Sequence, residues 1–248
     1  MRFHVVSLFP ELFDSWRGAG IIGKAHDRGQ VEVLFQNPRD FTHDKHRSVD
    51  DTPYGGGSGM VMMPGPVVEA LEALSTCEEA RPHRILLTPQ GKRFGQADAQ
   101  RLAGLPAIAL VCGRYEGFDE RIRPHVDEEF SLGDFVLLGG EVPAMAMIEA
   151  VARLLPGVLG NQASAEDESH VAGLLEYPQY TRPAEFRGAS VPEVLRSGDH
   201  AAIARYRRRE SLRRTKMRRP ELLDTAPLTK EDRVMLAELD QEEREDPS

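Results

Sequence analysis

Residues 136–157 read "VLLGGEVPAMAMIEAVARLLPG". Three apolar residues run into a glycine pair, and beyond a Glu and a Pro the apolar spacing predicts a helix. Glycines at the end of a strand leave backbone N–H and C=O groups open to a ligand, because no Cβ stands in the way. Two earlier stretches carry the same punctuation. "RILLT" (84–88) is followed by Pro89 and Gly91, and "AIALVC" (107–112) by Gly113 and Gly117. With "DFVLL" (134–138) these predict three strands whose glycine-bearing ends form one pocket. Ligands in open α/β sheets sit beyond the carboxyl ends of the strands.

The rest of the chain extends this pattern. "FHVVSLF" (3–9) and "VEVLFQ" (31–36) read as further strands. Helical spacing appears in "ELFDSWRGAGIIGKAHD" (11–27, weakened by glycines), "PVVEALEALST" (66–76), "QADAQRLAGL" (96–105) and "FDERIRPHV" (118–126). Continuous apolar strands alternating with helices predict an α/β domain with a mostly parallel sheet covered on both faces.

After Gly160 the composition changes. "NQASAEDESHVAG" (161–173) has no large apolar face and reads as a linker. Asp199 is placed to cap a basic helix that Pro220 ends. Thr229 and Asp232 predict a capping box opening a last helix, with Asp where Glu is usual. The expected division is an α/β domain over 1–160, a linker over 161–172 and a helical domain over 173–248.

Bulk properties exclude several classes. The 248 residues are 40% hydrophobic and 29% charged, as in ordinary globular proteins. No apolar run approaches the roughly 18 residues of a membrane span. The opening "MRFHVVSLFPELF" lacks the order of a signal peptide, so a cytoplasmic location is expected. Cys77 and Cys112 are the only cysteines, which provides no disulfide framework and no zinc cluster. Neither G-x-G-x-x-G after the first strand nor G-x-x-x-x-G-K-[ST] occurs. "YGGGSGM" (54–60) reads as a loop able to clasp a flat or anionic group, or as a plain flexible loop. "HDKH" (43–46) offers two His without a third clear ligand, so a solvated surface is expected and no metal site. The net charge is −9, yet "RYRRRESLRRTKMRR" (205–219) holds nine Lys/Arg and one acid. Such segregation predicts phosphate binding.

In order, "VSLFPELF", "DDTPYGGGSGMVM", "LLTPQGKRF", "LVCGRYEGFDERI", "SLGDFVLLGGEVPAMAMIEAVARLLPGVLGN", "YTRP" and "RRPELL" resemble the bacterial tRNA (guanine-N1)-methyltransferases, a SPOUT-class family. The resemblance covers nearly the whole chain and is weakest in the acidic tail. It implies a C-terminal trefoil knot in the α/β domain and a homodimer with active sites at the subunit interface. It also implies methyl transfer from S-adenosylmethionine to N1 of guanosine 37, beside the tRNA anticodon. Magnesium is a further expected requirement.

The positions matching the family's cofactor loops are Leu86, Leu87, Thr88 and Pro89, then Gly113, Tyr115 and Glu116. Leu132, Gly133, Asp134, Phe135, Val136 and Leu137 follow, with Gly139, Gly140 and Pro143. The N1 proton must leave during alkylation, which calls for a base, and charge then develops on O6, which calls for a cation. By resemblance the cation is Arg153 and the base is a linker acid. Glu168 fits when the motif is aligned on Ser169, and Asp167 when it is aligned on the acidic dipeptide. Asp50 and Tyr54 match the guanine-side loop, and Arg207, Arg208, Arg213 and Arg214 are expected to hold anticodon-stem phosphates. A SPOUT enzyme acting elsewhere on RNA, or on a ribose 2′-OH, is an alternative, as is an RNA-binding protein without activity.

Overall fold

The β-branched runs near residues 3, 31, 84 and 107 become parallel strands, as their continuous apolar character requires. The computed structural model describes residues 1–77, 81–160, 169–170 and 173–245. The chain divides into two units, Met1–Gly160 and Asn161–Ser248.

The first unit runs β1 (Arg2–Val6), α1 (Asp14–Arg17), α2 (Gly20–Asp27), β2 (Glu32–Gln36), β3 (Asp50–Asp51), β4 (Val61–Met62) and α3 (Pro64–Cys77). It continues with β5 (His83–Arg93), α4 (Gln96–Ala103), β6 (Ala107–Cys112), β7 (Glu128–Ser131) and α5 (Glu141–Ala152). Five parallel strands form the sheet in the order β2-β1-β6-β5-β7. The period of two sends alternate side chains to opposite faces. Phe3, Val5, Ile85, Leu87, Ile108 and Leu110 pack under α2, α4 and α5. Val6, Leu86, Ala109 and Val111 pack under α3. Each fully buried Val, Leu, Ile or Phe among them stabilises the fold by roughly 1.5–3 kcal/mol.

Four sequence expectations are corrected. "DFVLL" is not a strand; the fifth strand is Glu128–Ser131, and residues 132–140 form a loop. The charged Glu128 and Glu129 hide this strand from an apolar scan, because they pair with His83, Arg101 and Arg123. β5 does not end at Thr88 but continues to Arg93, with its register against β7 slipping between Leu87 and Lys92. The segment 11–27 breaks into a 3-10 turn (Pro10–Phe13), α1 and α2, with Gly20 at φ +60° starting α2. "FDERIRPHV" is a short 3-10 helix, Glu120–His125, because Pro124 cannot donate within an α-helix.

The second unit holds a small hairpin, β8 (Glu185–Phe186) and β9 (Ala189–Ser190), then α6 (His200–Arg218) and α7 (Lys230–Glu245). Asp199 caps α6, its carboxylate accepting from the N–H groups of Ala201 and Ala202. The capping box at the start of α7 is present. Thr229 N–H donates to Asp232 at 2.8 Å, and Asp232 N–H donates to the Thr229 hydroxyl at 3.1 Å. Leu174, Leu212, Met235 and Leu239 form this unit's core. Among the described residues, no helix is long and apolar enough to cross a membrane.

Candidate cofactor cleft and substrate loops

The register slip in the middle of β5 and the carboxyl ends of β6 and β7 open onto one cleft of about 780 Å³, open solvent included. Leu87, Thr88 and Pro89 line it from the irregular middle of β5, and Gly113, Tyr115 and Glu116 from the end of β6. Leu132, Gly133, Phe135, Val136, Leu137, Gly139, Gly140 and Pro143 line it from the third. Two expected members are placed elsewhere. Leu86 is fully buried in the core beneath α3. Asp134 is exposed and ion-paired with Arg93.

Glycine is a steric requirement at the centre of the cleft. A Cβ on Gly140 would lie 2.6 Å from Cys112 Cα and 2.8 Å from Gly113 N. Both are backbone atoms that cannot rotate away. Gly140 N–H donates to Gly113 C=O at 2.9 Å, so the two glycine loops are stitched main chain to main chain. A Cβ on Gly113 would meet the Phe118 ring at 2.8 Å.

The stitching is reinforced by a buried charge group. Glu141, the first residue of α5, is 1% exposed. It pairs with Arg114 at 2.8 Å and accepts from the Ser7 hydroxyl at 2.7 Å. Arg114 also reaches Leu138 C=O at 3.4 Å and stacks over the Phe9 ring at 4.5 Å. The end of β1, both glycine loops and the start of α5 are thereby tied together. Burial, and next the Glu141 charge, push the Cys112 thiol well above its ordinary value, so it stays a neutral core group.

Further lining residues are Arg114, Gly117, Phe118, Phe130, Ser131 and Leu138. Phe130 and Ser131 escape a sequence reading because the fifth strand is misplaced there. The lone cation inside "CGRYEG", with Glu141 following "VLLGG", is the signal that identifies Arg114.

A second loop joins the cleft from the side. β3 and β4 pair antiparallel, Asp50 opposite Met62, and Met62 bridges to Phe118. Glu116 N–H donates to Met60 C=O at 3.0 Å, and Met62 N–H to Gly117 C=O at 2.9 Å. The Glu116 carboxylate lies over Gly59, where a Cβ would come within 2.6 Å of its Oε1. Asp50 lies on this side loop, and Tyr54 is fully exposed. Burial, and next the neighbouring Asp50 carboxylate, raise the Tyr115 pKa, so the phenol stays neutral. In "HDKH", His43 pairs with Glu69 at 3.1 Å, and Asp44 accepts from the backbone N–H groups of Ser48 and His46. Among the described residues no three His, Cys, Asp or Glu converge as a metal site.

Arg153 is the half-buried C-cap of α5. Glu168 and Asp167 lie outside the described residues. On α6 the expected phosphate ligands divide into two groups. Arg208 forks onto Asp232 at 2.7 and 2.8 Å, and Arg213 pairs with Glu210 at 2.6 Å and with Glu242 at 3.5 Å. Arg209 and Lys216 pair with Glu242 and Asp240. The acidic last helix is therefore a counter-charge for one side of the basic one. Arg207 instead stacks over Tyr177 at 4.8 Å, and Arg214 makes no ion pair among the described residues.

Residues 1–225 match the family model described as tRNA (Guanine-1)-methyltransferase TrmD. A tRNA (guanine-N(1)-)-methyltransferase of Sorangium cellulosum is 58% identical over 245 residues, covering 90% of this chain and 93% of that protein. One from Syntrophotalea carbinolica is 57% identical, covering 96% of each. Another from Bacillus cereus is 50% identical, covering 98% of this chain and all of that protein. On this family match and this identity over nearly full length, the chain belongs to the tRNA (guanine-1)-methyltransferase family.

Proposed function

We propose that the chain methylates N1 of guanosine 37 of tRNA, using S-adenosylmethionine held in the cleft beside the register slip of β5 and the ends of β6 and β7. The observation that carries this reading is the tight glycine packing along the cleft: Gly140 lies against the backbone of Cys112 and Gly113, Gly113 against the Phe118 ring and Gly139 against Arg114, so none has room for a Cβ. The cleft suits a nucleoside cofactor. Its walls are apolar at Leu87, Leu132, Phe135 and Leu137, and its glycines leave main-chain donors and acceptors within reach.

When bound, S-adenosylmethionine supplies an electrophilic methyl group on a positively charged sulfur. The chain's own residues position the acceptor and manage its proton. A linker carboxylate, Glu168 or Asp167, takes the N1 proton, and Glu168 keeps the spacing from Arg153. Arg153 then stabilises the negative charge that develops on O6. Asp50 and Tyr54 face the guanine. Arg207 and Arg214 hold stem phosphates, with Arg208 and Arg213 contributing after their acidic partners. Magnesium has no identified ligand set among the described residues, and proton removal and charge stabilisation are assigned to side chains.

The trefoil knot and the homodimer belong to the same reading. The main-chain contact between Gly140 and the 112–113 backbone is what threading one loop through another requires. Val136 is 83% exposed and Leu138 93% exposed at the rim of the cleft. Burial against a second copy gives such apolar residues a partner.

Transfer of labelled methyl to unmodified tRNA tests the function. The expected product carries label and stops primer extension at position 37, since N1 methylation blocks pairing. A labelled product that primer extension reads through indicates a ribose site, and an unlabelled one indicates a binding protein. Either contradicts the proposal. Glu168→Ala should abolish transfer while cofactor binding persists; activity surviving in both Glu168→Ala and Asp167→Ala would remove the linker base.

A further inference from the structure

We infer that Arg123 is a positioning residue for the cofactor, acting through Gln90 to hold the irregular middle of β5 that forms one wall of the cleft. This rests on the placement of S-adenosylmethionine proposed above and assigns a role to a side chain outside the cleft.

The registers of β5 with β6 and with β7 both break off at Leu87, and β7 is rejoined at Lys92. Leu87 and Lys92 face the same residue, Phe130, so residues 88–91 bulge out of the strand. Where a bulge leaves the ladder, other contacts must set its shape. Gly91 packs against the backbone of Glu129 and Phe130, where a Cβ would come within 2.6 Å. Gln90 N–H donates to the Thr88 hydroxyl at 3.3 Å. Arg123 donates to Gln90 Oε1 at 2.6 Å.

The bulge separates two surfaces. Thr88 and Pro89 line the cofactor cleft, whereas Gln90 and Arg123 line a polar groove with Glu129. Arg123 stands on the 3-10 helix Glu120–His125 and is half-buried. Its Nε pairs with Glu120 at 2.8 Å, one terminal nitrogen pairs with Glu129 of β7, and the other bonds Gln90. One planar group therefore ties the bulge to β7 in a fixed direction, which a lysine amine does less well. Glu129 directly precedes Phe130, which lines the cleft, so two parts of the cleft wall refer to the same guanidinium. Loosening the bulge lowers the fraction of molecules with a ready cleft, and apparent affinity falls by that fraction.

The test is calorimetric binding of S-adenosylmethionine to the full chain, with unfolding temperatures and tRNA methylation kinetics on the same variants. Gln90 is exposed, and Gln90→Met keeps its size while removing the acceptor. Binding should weaken about fivefold, within the worth of one hydrogen bond to a charged group. The unfolding temperature should match the wild type, and kcat at saturating cofactor should stay within about twofold. Gln90→Glu keeps an acceptor for Arg123 and should bind within about twofold of the wild type. Arg123→Met should weaken binding at least as much as Gln90→Met, and combining the two should cost nothing more. Unchanged affinity in Gln90→Met, or losses that multiply in the double variant, would overturn the inference. So would intact affinity in Arg123→Met beside a weakened Gln90→Met, which would make Gln90 a direct ligand. A lower unfolding temperature accompanying the loss in Gln90→Met would reduce the contact to a structural one and overturn it as well. A wild-type chain that binds no S-adenosylmethionine refutes the proposed site instead, and this inference with it.

Discussion

The Arg114 guanidinium lies 2.8 Å from the Glu141 carboxylate, and Glu141 is almost wholly buried. This pair connects the two glycine loops that form the cleft, and the Ser7 hydroxyl binds the same carboxylate from the end of β1. Removing one member leaves the other charge without its partner in a low-dielectric setting. Glu141→Ala should therefore destabilise the chain by about 3 kcal/mol in denaturant unfolding, and cofactor affinity should fall with it. Replacing both, as Arg114→Met with Glu141→Leu, should restore more than half of the stability but not the affinity.

Gly140→Ala should be far more harmful than its small volume suggests. The added Cβ meets backbone at 2.6 Å, and the strands that carry Cys112 and Gly113 cannot yield. A loss of about 2 kcal/mol or more is expected, with cofactor binding abolished. Gly65 in α3 is the control, because beyond its chain neighbours and the adjacent turn of its own helix nothing lies within 4 Å of its Cβ position. Gly65→Ala should be neutral or should stabilise by up to about 1 kcal/mol.

Asp232 closes the capping box of α7 and accepts the Arg208 fork, and its pKa is held down at about 2, chiefly by the hydrogen bonds from Arg208. A depressed folded pKa gives stability that is complete above the unfolded value near 3.8 and lost as pH falls through about 2. That stability is about 2 kcal/mol, because a shift of one unit is worth 1.36 kcal/mol. Acid unfolding of the C-terminal unit should steepen between pH 4 and 2, and Asp232→Asn should remove that step while lowering stability at neutral pH. An identical acid profile in the variant would contradict this assignment.

Arg207 and Arg214 should carry more of the salt-dependent tRNA binding than their neighbours. Replacing both with Gln should flatten the log-log salt slope by about one to two, since each phosphate contact contributes about one. Arg208→Gln should instead act mainly on stability, because its charge already serves Asp232. Equal salt slopes in the Arg207/Arg214 variant and the wild type would remove this side of α6 from the interface.

The sequence made parts of this plain. Four strands were readable because both faces of a parallel sheet are covered, so Val5, Val6, Ile85, Leu86 and Val111 leave continuous apolar runs. The glycine-bearing end of β6 and the 132–140 loop do line one cleft, and the structure adds a reason the pattern does not state, since Gly140 packs against the backbone of Cys112 and Gly113. The fifth strand was hidden because Glu128 and Glu129 find partners across the sheet edge, while the apolar Phe135–Leu138 run serves as pocket wall. Long-range pairing was equally invisible. Nothing in "RYRRRESLRRTKMRR" announces that Arg208, Arg209 and Arg213 are answered by acids some thirty positions later or nearer.

The most direct measurement is the position of S-adenosylmethionine in crystals of the full chain. It should lie bent among Leu87–Pro89, Gly113–Gly117 and Leu132–Gly140, its adenine between apolar walls and its methyl group facing the side of Asp50. Density in another cavity, or an extended cofactor lying along the sheet, would contradict the assignment of this cleft.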